Sequence, residues 1–483
     1  MLDLQISPAT ENKAIIIGGS IAGLLTAQVL TKYFDRVTIV ERDRFPEQPE
    51  QRHGIPQAHH VHVLLIRGQQ ILEQLFPGII AELADLGTPI IDSVADSLWL
   101  TFNGWTPRFA SHLTSCASSR NLLEWTIRRR LAANDQIEFL QAAQVTNLLC
   151  NSNKTTITGV RVSFGKEPEA EILANLVVDA SGRNSHTPEW LEELGYKSPQ
   201  QTVVNSFLGY ASRWYHPPEG FQADWQVLLI WPKPPKDTRS GVVYTVEGNR
   251  WIVTLAGVGR DYPPTDEAGF LDFAQSLRSP IIYEAIKDAQ PISPIYAYKR
   301  TENHLRHYEK LSRFPEGLII VGDAVCAFNP VYGQGMTTAA LGALTLDECL
   351  SKQLSNQSNT NLIGFPQYFQ KQLSKAISIP WLMATGEDFR WPTTEGGKPN
   401  LISKFMQLYL DRVLLLQADS AEIHQLFLEV MNLLKPTSAL FQPHIVMQVL
   451  KQIINPRPQS DKFTDRENIP KYQPSVTPNI MSR

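Results

Sequence analysis

Cysteine is scarce in this chain. Four occur in 483 residues, Cys116, Cys150, Cys326 and Cys349, and no two form a CxxC pair. Such scatter excludes a disulfide framework and a cysteine-based zinc site, and suits buried thiols in a reducing cytoplasm. The chain opens MLDLQISPATENK, without a basic segment leading into an apolar one, so no secretory leader is expected. No uncharged apolar run approaches the ~18 residues of a membrane span. Peripheral contact with a membrane surface stays open. Charge of one sign is lacking too: 44 Lys and Arg stand against 48 Asp and Glu, a net charge of −4. That balance gives no general reason to bind nucleic acid. Internal repeats and long low-complexity tracts are absent.

What is present is a normal globular composition, 43% hydrophobic and 19% charged. At about 100–200 residues per domain, the length suggests roughly two to four domains. Residues 14–18 (AIIIG) read as a buried strand, 21–33 as a helix and 36–41 (RVTIVE) as a second strand. That order predicts a parallel, right-handed unit. Further helices are expected over 63–75 and 122–133, and strands over 137–140, 156–163 and 170–178. From about 202 the texture changes to alternating β-branched and aromatic runs, 203–215, 225–231, 241–246 and 250–259. Gly248-Asn249 sits between the last two and signals a hairpin. A buried strand returns at 317–321, followed by an Ala/Leu-rich helix, and helical periodicity dominates 363–454.

The first motif is Gly18-Gly19-Ser20-Ile21-Ala22-Gly23. A tight strand-to-helix turn must bring backbone N–H groups close to a pyrophosphate, and side chains obstruct that approach. Taken alone it is an ordinary glycine-rich turn. Glu41 lies 18 residues beyond Gly23, at the end of the second strand. A carboxylate there accepts from both ribose hydroxyls of an adenosine and repels a 2′-phosphate, favouring FAD or NAD over NADP. The second motif is a strand ending in Gly322-Asp323, then Asn329-Pro330-Val331-Tyr332-Gly333-Gln334-Gly335-Met336. An Asp at a strand end suits a polyol such as ribitol. The Gly333/Gly335 pair lets backbone approach a flat ring, and the helix N-terminus that follows stabilises negative charge on it.

Residues 317–342 (GLIIVGDAVCAFNPVYGQGMTTAALG) resemble the GD motif of the para-hydroxybenzoate-hydroxylase-like flavoprotein monooxygenases, and 177–185 (VVDASGRNS) resemble that family's middle DG-type motif. Residues 52–78, 179–196 and 380–396 are similar to the flavin epoxidases of polyether biosynthesis, of the lasalocid and monensin type. The resemblance implies FAD, reduction by NAD(P)H, and a C4a-peroxyflavin that delivers one oxygen atom from O2. It implies that Gly18, Gly19, Ser20, Ile21, Ala22, Gly23, Glu41 and Arg42 hold the ADP half. Arg52 and Arg120 would serve the phosphates, Val145 the adenine through its backbone, Asp323 the ribitol, and Gly335 with Met336 the flavin ring. Asp179 and Arg183 belong to the middle motif, Asp179 being placed at the cofactor. Ser20 departs from the usual glycine, and Cys326 and Thr337 stand where the wider family often has His and Asn. These departures suit the epoxidase subgroup better than the phenol hydroxylases.

The expected fold is α/β: a Rossmann-like FAD-binding domain of discontinuous segments (1–85, 115–200, 296–352), an antiparallel substrate sheet (86–114, 201–295), a helical C-terminal region (353–454) and a flexible tail (455–483). The expected substrate is small and lipophilic, free or carrier-bound. Alkene epoxidation is the first reaction weighed. Aromatic hydroxylation, halogenation, polyprenyl-type reduction and flavin binding without turnover are the alternatives. A halogenase should show WxWxIP, and DWQVLLIWPKPP (224–235) does not fit it. No catalytic acid or base is assigned. His59, His60 and His62 lack metal-site spacing and read as a loop near the flavin or as surface histidines. Trp225, Trp231 and Trp251 read as core or pocket wall. Substrate identity, NADH against NADPH, and oligomeric state are not legible.

Overall fold

The computed structural model describes residues 11–165, 167–355, 362–399, 401–418, 420–454 and 469–470. The strand Lys13–Ile17 leads through the glycine turn into the helix Ile21–Leu30 and back into the strand Arg36–Glu41. The two strands pair in parallel, Ala14 opposite Val37 and Ile16 opposite Ile39. They form the centre of a five-stranded parallel sheet in the order Leu318–Ile320, Leu176–Asp179, Lys13–Ile17, Arg36–Glu41, Ile137–Gln141. Its residues Ile15, Ile16, Ile39, Val177, Val178 and Ile319 are all buried. A parallel sheet covered on both faces demands such unbroken apolar runs. The helices Arg120–Ala132 and Gly335–Ser355 pack against Ile21–Leu30. The chain is α/β, as expected from its sequence.

Two expected strands each divide between sheets. The 170–178 run splits at Ala174-Asn175 into Ala170–Leu173, in a three-stranded antiparallel sheet, and Leu176–Asp179, in the parallel one. Asn175 makes the switch: its side chain accepts from Lys13 N at 2.8 Å and its own N–H donates to Lys13 O at 2.8 Å. The 203–215 run splits into Gln201–Val204 and Gly209–His216. Between them Phe207 takes a left-handed φ of 53°, its N–H donating to the Asn205 side chain at 2.8 Å. Apolar residues resume directly after both breaks, so hydropathy alone does not reveal them. The strand Gln144–Cys150 was not anticipated.

The second large sheet has eight strands and is mostly antiparallel, with Gly209–His216, Arg250–Gly257 and Arg239–Val246 at its heart. The hairpin expected at Gly248-Asn249 is there, both residues having positive φ (71° and 50°). One sheet face, with Ala211, Tyr215, Val253 and Leu255, packs on Phe270, Phe273 and Ile282 of two short helices. Alternation puts Tyr210, Ser212, Trp214, Ile252, Thr254 and Ala256 on the other face. The helices Phe365–Asp388, Leu401–Leu416, Ala421–Met431 and Pro443–Ile454 follow. Trp99 and Trp231 pack against the last three of these through Tyr409, Val413, Phe427 and Ile445. Among the described residues no helix is long and apolar enough to cross a membrane. The expected tail, 455–483, lies outside the described residues apart from Ile469 and Pro470.

Candidate functional site

The glycine turn is shaped by close approach. Gly18 has φ +101° and lies where a Cβ would stand 2.7 Å from the Ala180 carbonyl oxygen. A Cβ on Gly23 would sit 1.9 Å from the Gly18 carbonyl oxygen. Larger residues at either point would force strand and helix apart. Ser20 precedes the helix in extended conformation and its side chain caps no helical N–H. The first-turn amides at Ile21, Ala22 and Gly23 therefore remain available to an anion. Glu41 is buried and accepts from Gly19 N at 2.8 Å and Asp43 N at 3.0 Å. Arg42 beside it is exposed.

Two arginines from distant segments converge on this turn. The Arg52 guanidinium reaches Glu124 at 2.9 Å, Asp43 at 3.1 Å and Glu41 at 3.2 Å, and donates to Gly19 O at 3.2 Å. Arg120 donates to Ser20 Oγ at 2.7 Å and to Glu124 at 2.9 Å. Glu124 is thus the hinge of the cluster, and neither it nor Asp43 was anticipated. The available signal was a carboxylate one helical turn beyond Arg120, on the side where Leu123 and Ile127 are buried. Burial works against the charged form of Glu124, but Arg120 and Arg52 outweigh it and hold its pKa below the usual value. Burial likewise opposes the Arg52 charge, and Glu124, Glu41 and Asp43 overcome it.

The Gly322-Asp323 turn brings a different chemistry. Gly322 has φ +60°. Burial raises the Asp323 carboxyl above its ordinary range, opposed by Arg183, Arg120 and Arg306. Its side chain takes no hydrogen bond from another of the described residues. Arg183 is held by Glu302 and by Phe328 O, and Arg306 by Ala324 O. At the start of the Gly335–Ser355 helix, Gln334 Oε1 and Thr338 Oγ1 are buried without partners. A Cβ at Gly335 would meet no atom within 4 Å. Met336 is buried beside it. Unclaimed amides and paired guanidiniums, a lone half-buried carboxyl, and an open glycine edge beside orphaned polar atoms suit the phosphates, polyol and flat ring of FAD in that order. Val145 is itself buried, on a mostly half-buried strand next to a register shift, and nearby Ala143 N donates to Glu41 O at 2.9 Å. Asp179, expected at the cofactor, is engaged within its own loop. Fully buried, it accepts from Ser181 N at 2.9 Å, Thr187 Oγ1 at 2.6 Å and the Ser185 hydroxyl. Its capacity goes into bracing the 179–187 loop.

No group of three potential metal ligands occurs among the described residues. His59 and His60 pack against the eight-stranded sheet. His59 stacks on Tyr296 with ring centroids 3.3 Å apart, and its carbonyl accepts from Trp214 Nε1 at 2.9 Å. His60 lies edge-on to Tyr210 at 4.6 Å. Burial, with neighbouring His62 and His59, lowers its pKa to about 3. Burial and then Arg120 lower that of His62 to about 4. Val63 connects the surfaces: it packs on the cluster of Trp214 and Ile252, and its Cβ lies 3.6 Å from where a Gly333 Cβ would be. Trp225 and Trp251 sit in the core behind the sheet, and Trp231 packs edge-to-face on Trp99.

A third unanticipated residue supports the 329–335 loop from outside. Asp388, at the end of its helix, is 1% exposed. It accepts from Ser206 Oγ at 2.9 Å, Asn303 Nδ2 at 2.7 Å, Asn329 Nδ2 at 3.1 Å and Tyr332 Oη at 2.7 Å. Burial still raises its pKa to about 6, against the pull of Tyr332, Ser206 and Asn329.

A family model described as "FAD binding domain" matches residues 11–368. Protein Rv3254 of Mycobacterium tuberculosis is 33% identical over 354 residues, covering 71% of this chain and 74% of its own length. A kynurenine 3-monooxygenase of Salinispora arenicola is 23% identical over 353 residues, covering 71% and 73%. Among solved structures, the flavin-dependent brominase Bmp2 shares the fold with a TM-score of 0.62 at 14% identity, covering 87% of this chain and 92% of that one.

Proposed function

The chain belongs to the FAD-binding-domain family, and within it we propose a monooxygenase that places one oxygen atom from O2 on a lipophilic substrate, with NAD(P)H as reductant and alkene epoxidation as the reaction. In this reading 1–85, 115–200 and 296–352 carry FAD. Segments 86–114 and 201–295 carry substrate, and 353–454 closes the site. Gly18 to Gly23, Glu41 and Arg42 hold the ADP half, Arg52 and Arg120 serve the phosphates and Val145 the adenine. Asp323 takes the ribitol, and Gly335 with Met336 take the ring. Reduced FAD supplies the oxygen-activating chemistry, and the protein supplies position and dryness.

The observation behind this reading is the junction at Val63, where the Gly333 turn meets the aromatic sheet face of Trp214 and Ile252. Delivery of oxygen to an alkene needs no protein nucleophile, whereas hydroxylation of a phenol needs a group that takes or polarises its proton. The histidines at this junction are poor bases, lowered to about 3 and about 4 chiefly by burial. The likeness of 52–78 and 380–396 to polyether flavin epoxidases supports the same choice. The kynurenine 3-monooxygenase relative favours ring hydroxylation as the second reading.

Turnover under ¹⁸O₂ against a panel of polyenes, terpenes and phenols separates the cases. A product with one labelled oxygen and one double bond fewer is expected. A labelled phenol replaces epoxidation by hydroxylation. A saturated, unlabelled product makes the enzyme a reductase and ends the monooxygenase reading.

A further inference from the structure

We propose that the outer faces of the helices Leu401–Leu416 and Pro443–Ile454 form a docking surface for an anionic phospholipid bilayer. This goes beyond the proposed function and does not rest on it. Large apolar side chains meet solvent on both helices. Leu401, Phe405 and Leu408 on the first, and Met447, Leu450, Ile453 and Ile454 on the second, are between 50% and 84% exposed. Leu401, Phe405 and Leu408 are spaced i, i+4, i+7, and Met447, Leu450 and Ile454 i, i+3, i+7, so each set forms one stripe.

Both helices already have a buried side. Tyr409 and Val413 of the first and Ile445 and Val449 of the second sink into one cluster with Trp99 and Phe427. The two helices also pack on each other, and the rings of Tyr409 and Phe441 stack with centroids 4.4 Å apart. Stripes turned away from a shared cluster, on neighbouring helices, look outward together. The helix Phe365–Asp388 adds exposed Ile379 and Leu382, two turns and one turn ahead of Gly386, whose carbonyl accepts from Gln407 Nε2 at 2.7 Å. A surface helix needs one apolar stripe, and each of these two has a second. At roughly 150 Å² per large side chain, the seven residues expose on the order of 700 Å², above the ~300–600 Å² of the largest patch on a typical monomer.

Charge decides what covers the stripes. The whole chain carries −4. On these three helices the balance is reversed. Lys371, Lys375, Lys404 and Lys451 are exposed, Arg412 is half-buried, and none has an acidic partner among the described residues. The acids are used inward: Glu387 and Asp411 pair with Arg390 at 2.9 and 2.6 Å, and Asp388 is buried in its four hydrogen bonds. In the loop before Leu401, exposed Glu395 is offset by exposed Lys398. Glu422 lies 3.6 Å from His444, at the far end of the last helix from Ile453 and Ile454. Lys404 stands one turn before Leu408 and Lys451 one turn after Met447, at the margins of the stripes. Such a face suits a bilayer interface: apolar side chains enter the acyl boundary while lysines reach anionic headgroups. A second copy of the chain fits worse. A two-fold pairing puts the same face on both sides and sets these cations against their own copies.

The test is flotation of full-length, FAD-loaded protein at low salt with phosphatidylcholine vesicles, plain or containing about one third phosphatidylglycerol. Binding to the anionic vesicles is expected, with little to the plain ones. Lys404→Gln with Lys451→Gln should weaken it about thirtyfold, the combined loss expected of two lysines at such a surface. Phe405→Ser with Leu450→Ser should weaken it about a hundredfold. All four side chains are exposed, so both variants should melt at the wild-type temperature. If the Phe405/Leu450 variant fails to fold, the Lys404/Lys451 variant decides alone. A wild type that floats with neither vesicle overturns the proposal, as does equal binding to both. Undiminished binding by either folded variant overturns the assigned face. Sedimentation velocity without lipid tests the rival occupant. A wild-type dimer that the Phe405/Leu450 variant turns into monomer gives the face to a second copy and overturns the bilayer. None of these readouts uses turnover, so they stand or fall apart from the ¹⁸O₂ experiment.

Discussion

The two ends of the site are built from opposite materials. At the glycine turn, buried charge is dense: Arg52, Arg120, Glu41, Asp43 and Glu124 lie within one network of ion pairs. At the sheet face, His60, Ser212, Thr254, Tyr210 and Trp214 present hydrogen bonds and rings without a formal charge. A phosphate-bearing cofactor needs the first kind of surface, because an anion must be met by oriented donors and cations. Oxygen chemistry on a lipophilic molecule needs the second, because water and stray charge open side reactions. Asp323 stands between them, half-buried and with its carboxyl raised above the ordinary range by desolvation.

The contrast can be broken most forcefully at Glu124. Glu124→Ala would leave two buried guanidiniums facing each other, and removing one partner of a buried pair costs about 3–5 kcal/mol. The loss should show as a lower melting temperature in the flavin-free protein, and added FAD should recover much of it by supplying the missing negative charge. Equal losses with and without FAD would mean that the cluster is structural and the phosphates lie elsewhere.

Asp388 probes the outer support of the loop and gives a pH signature. Its pKa rises from 3.8 to about 6 on folding, with burial the main cause. A raised acid favours the fold below its unfolded pKa, and that contribution is lost as pH climbs through the folded value, a change of about 3 kcal/mol. Asp388→Asn should therefore flatten the fall in stability between pH about 4 and 6, as followed by urea unfolding at stepped pH. It should also lower stability at neutral pH, because an amide cannot accept from all four donors. Parallel profiles for the two proteins would show that the carboxylate does not titrate in that window.

The smallest effect sharpens the boundary between the ends. Asp323→Ala should weaken FAD by about ten- to a hundredfold, the value of a charge-assisted hydrogen bond of about 1.5–3 kcal/mol. Because that carboxyl has no partner among the described residues, the fold should be little disturbed. Fluorescence titration of FAD checks the first point and circular dichroism the second. Unchanged affinity in a folded protein would move the polyol away from Asp323.

How far the site was legible followed sequence distance. Gly18 to Gly23 and Glu41 could be named in advance because a strand, a turn, a helix and a strand within 30 residues carry the whole geometry. Asp323 and Gly335 were legible for the same local reason. Glu124 was not, because its partner Arg52 is 72 residues away. The His60–Ser212 hydrogen bond joins residues 152 apart, and nothing near QAHHVH announces Ser212. Asp179 was placed at the cofactor by its motif, yet hydroxyls two, six and eight residues ahead use up its oxygens. The α/β class survived the misjudged strands because the breaks at Asn175 and Phe207 redirect the chain between sheets without altering which residues are apolar.

The Asp388 knot also sets an order of assembly. Its four partners lie 182, 85, 59 and 56 residues earlier in the chain. Contacts of such separation form late, after local elements and the nearer strand pairs have taken shape. On a ribosome the glycine turn emerges long before residue 388 does, whereas the last strand of the parallel sheet, Leu318–Ile320, emerges only shortly ahead of it. The 329–335 loop must wait for that last carboxylate before its Asn329 and Tyr332 are tethered. A nascent chain can thus shape its glycine turn early, while the 329–335 loop gains its outer tether only once residue 388 has left the ribosome.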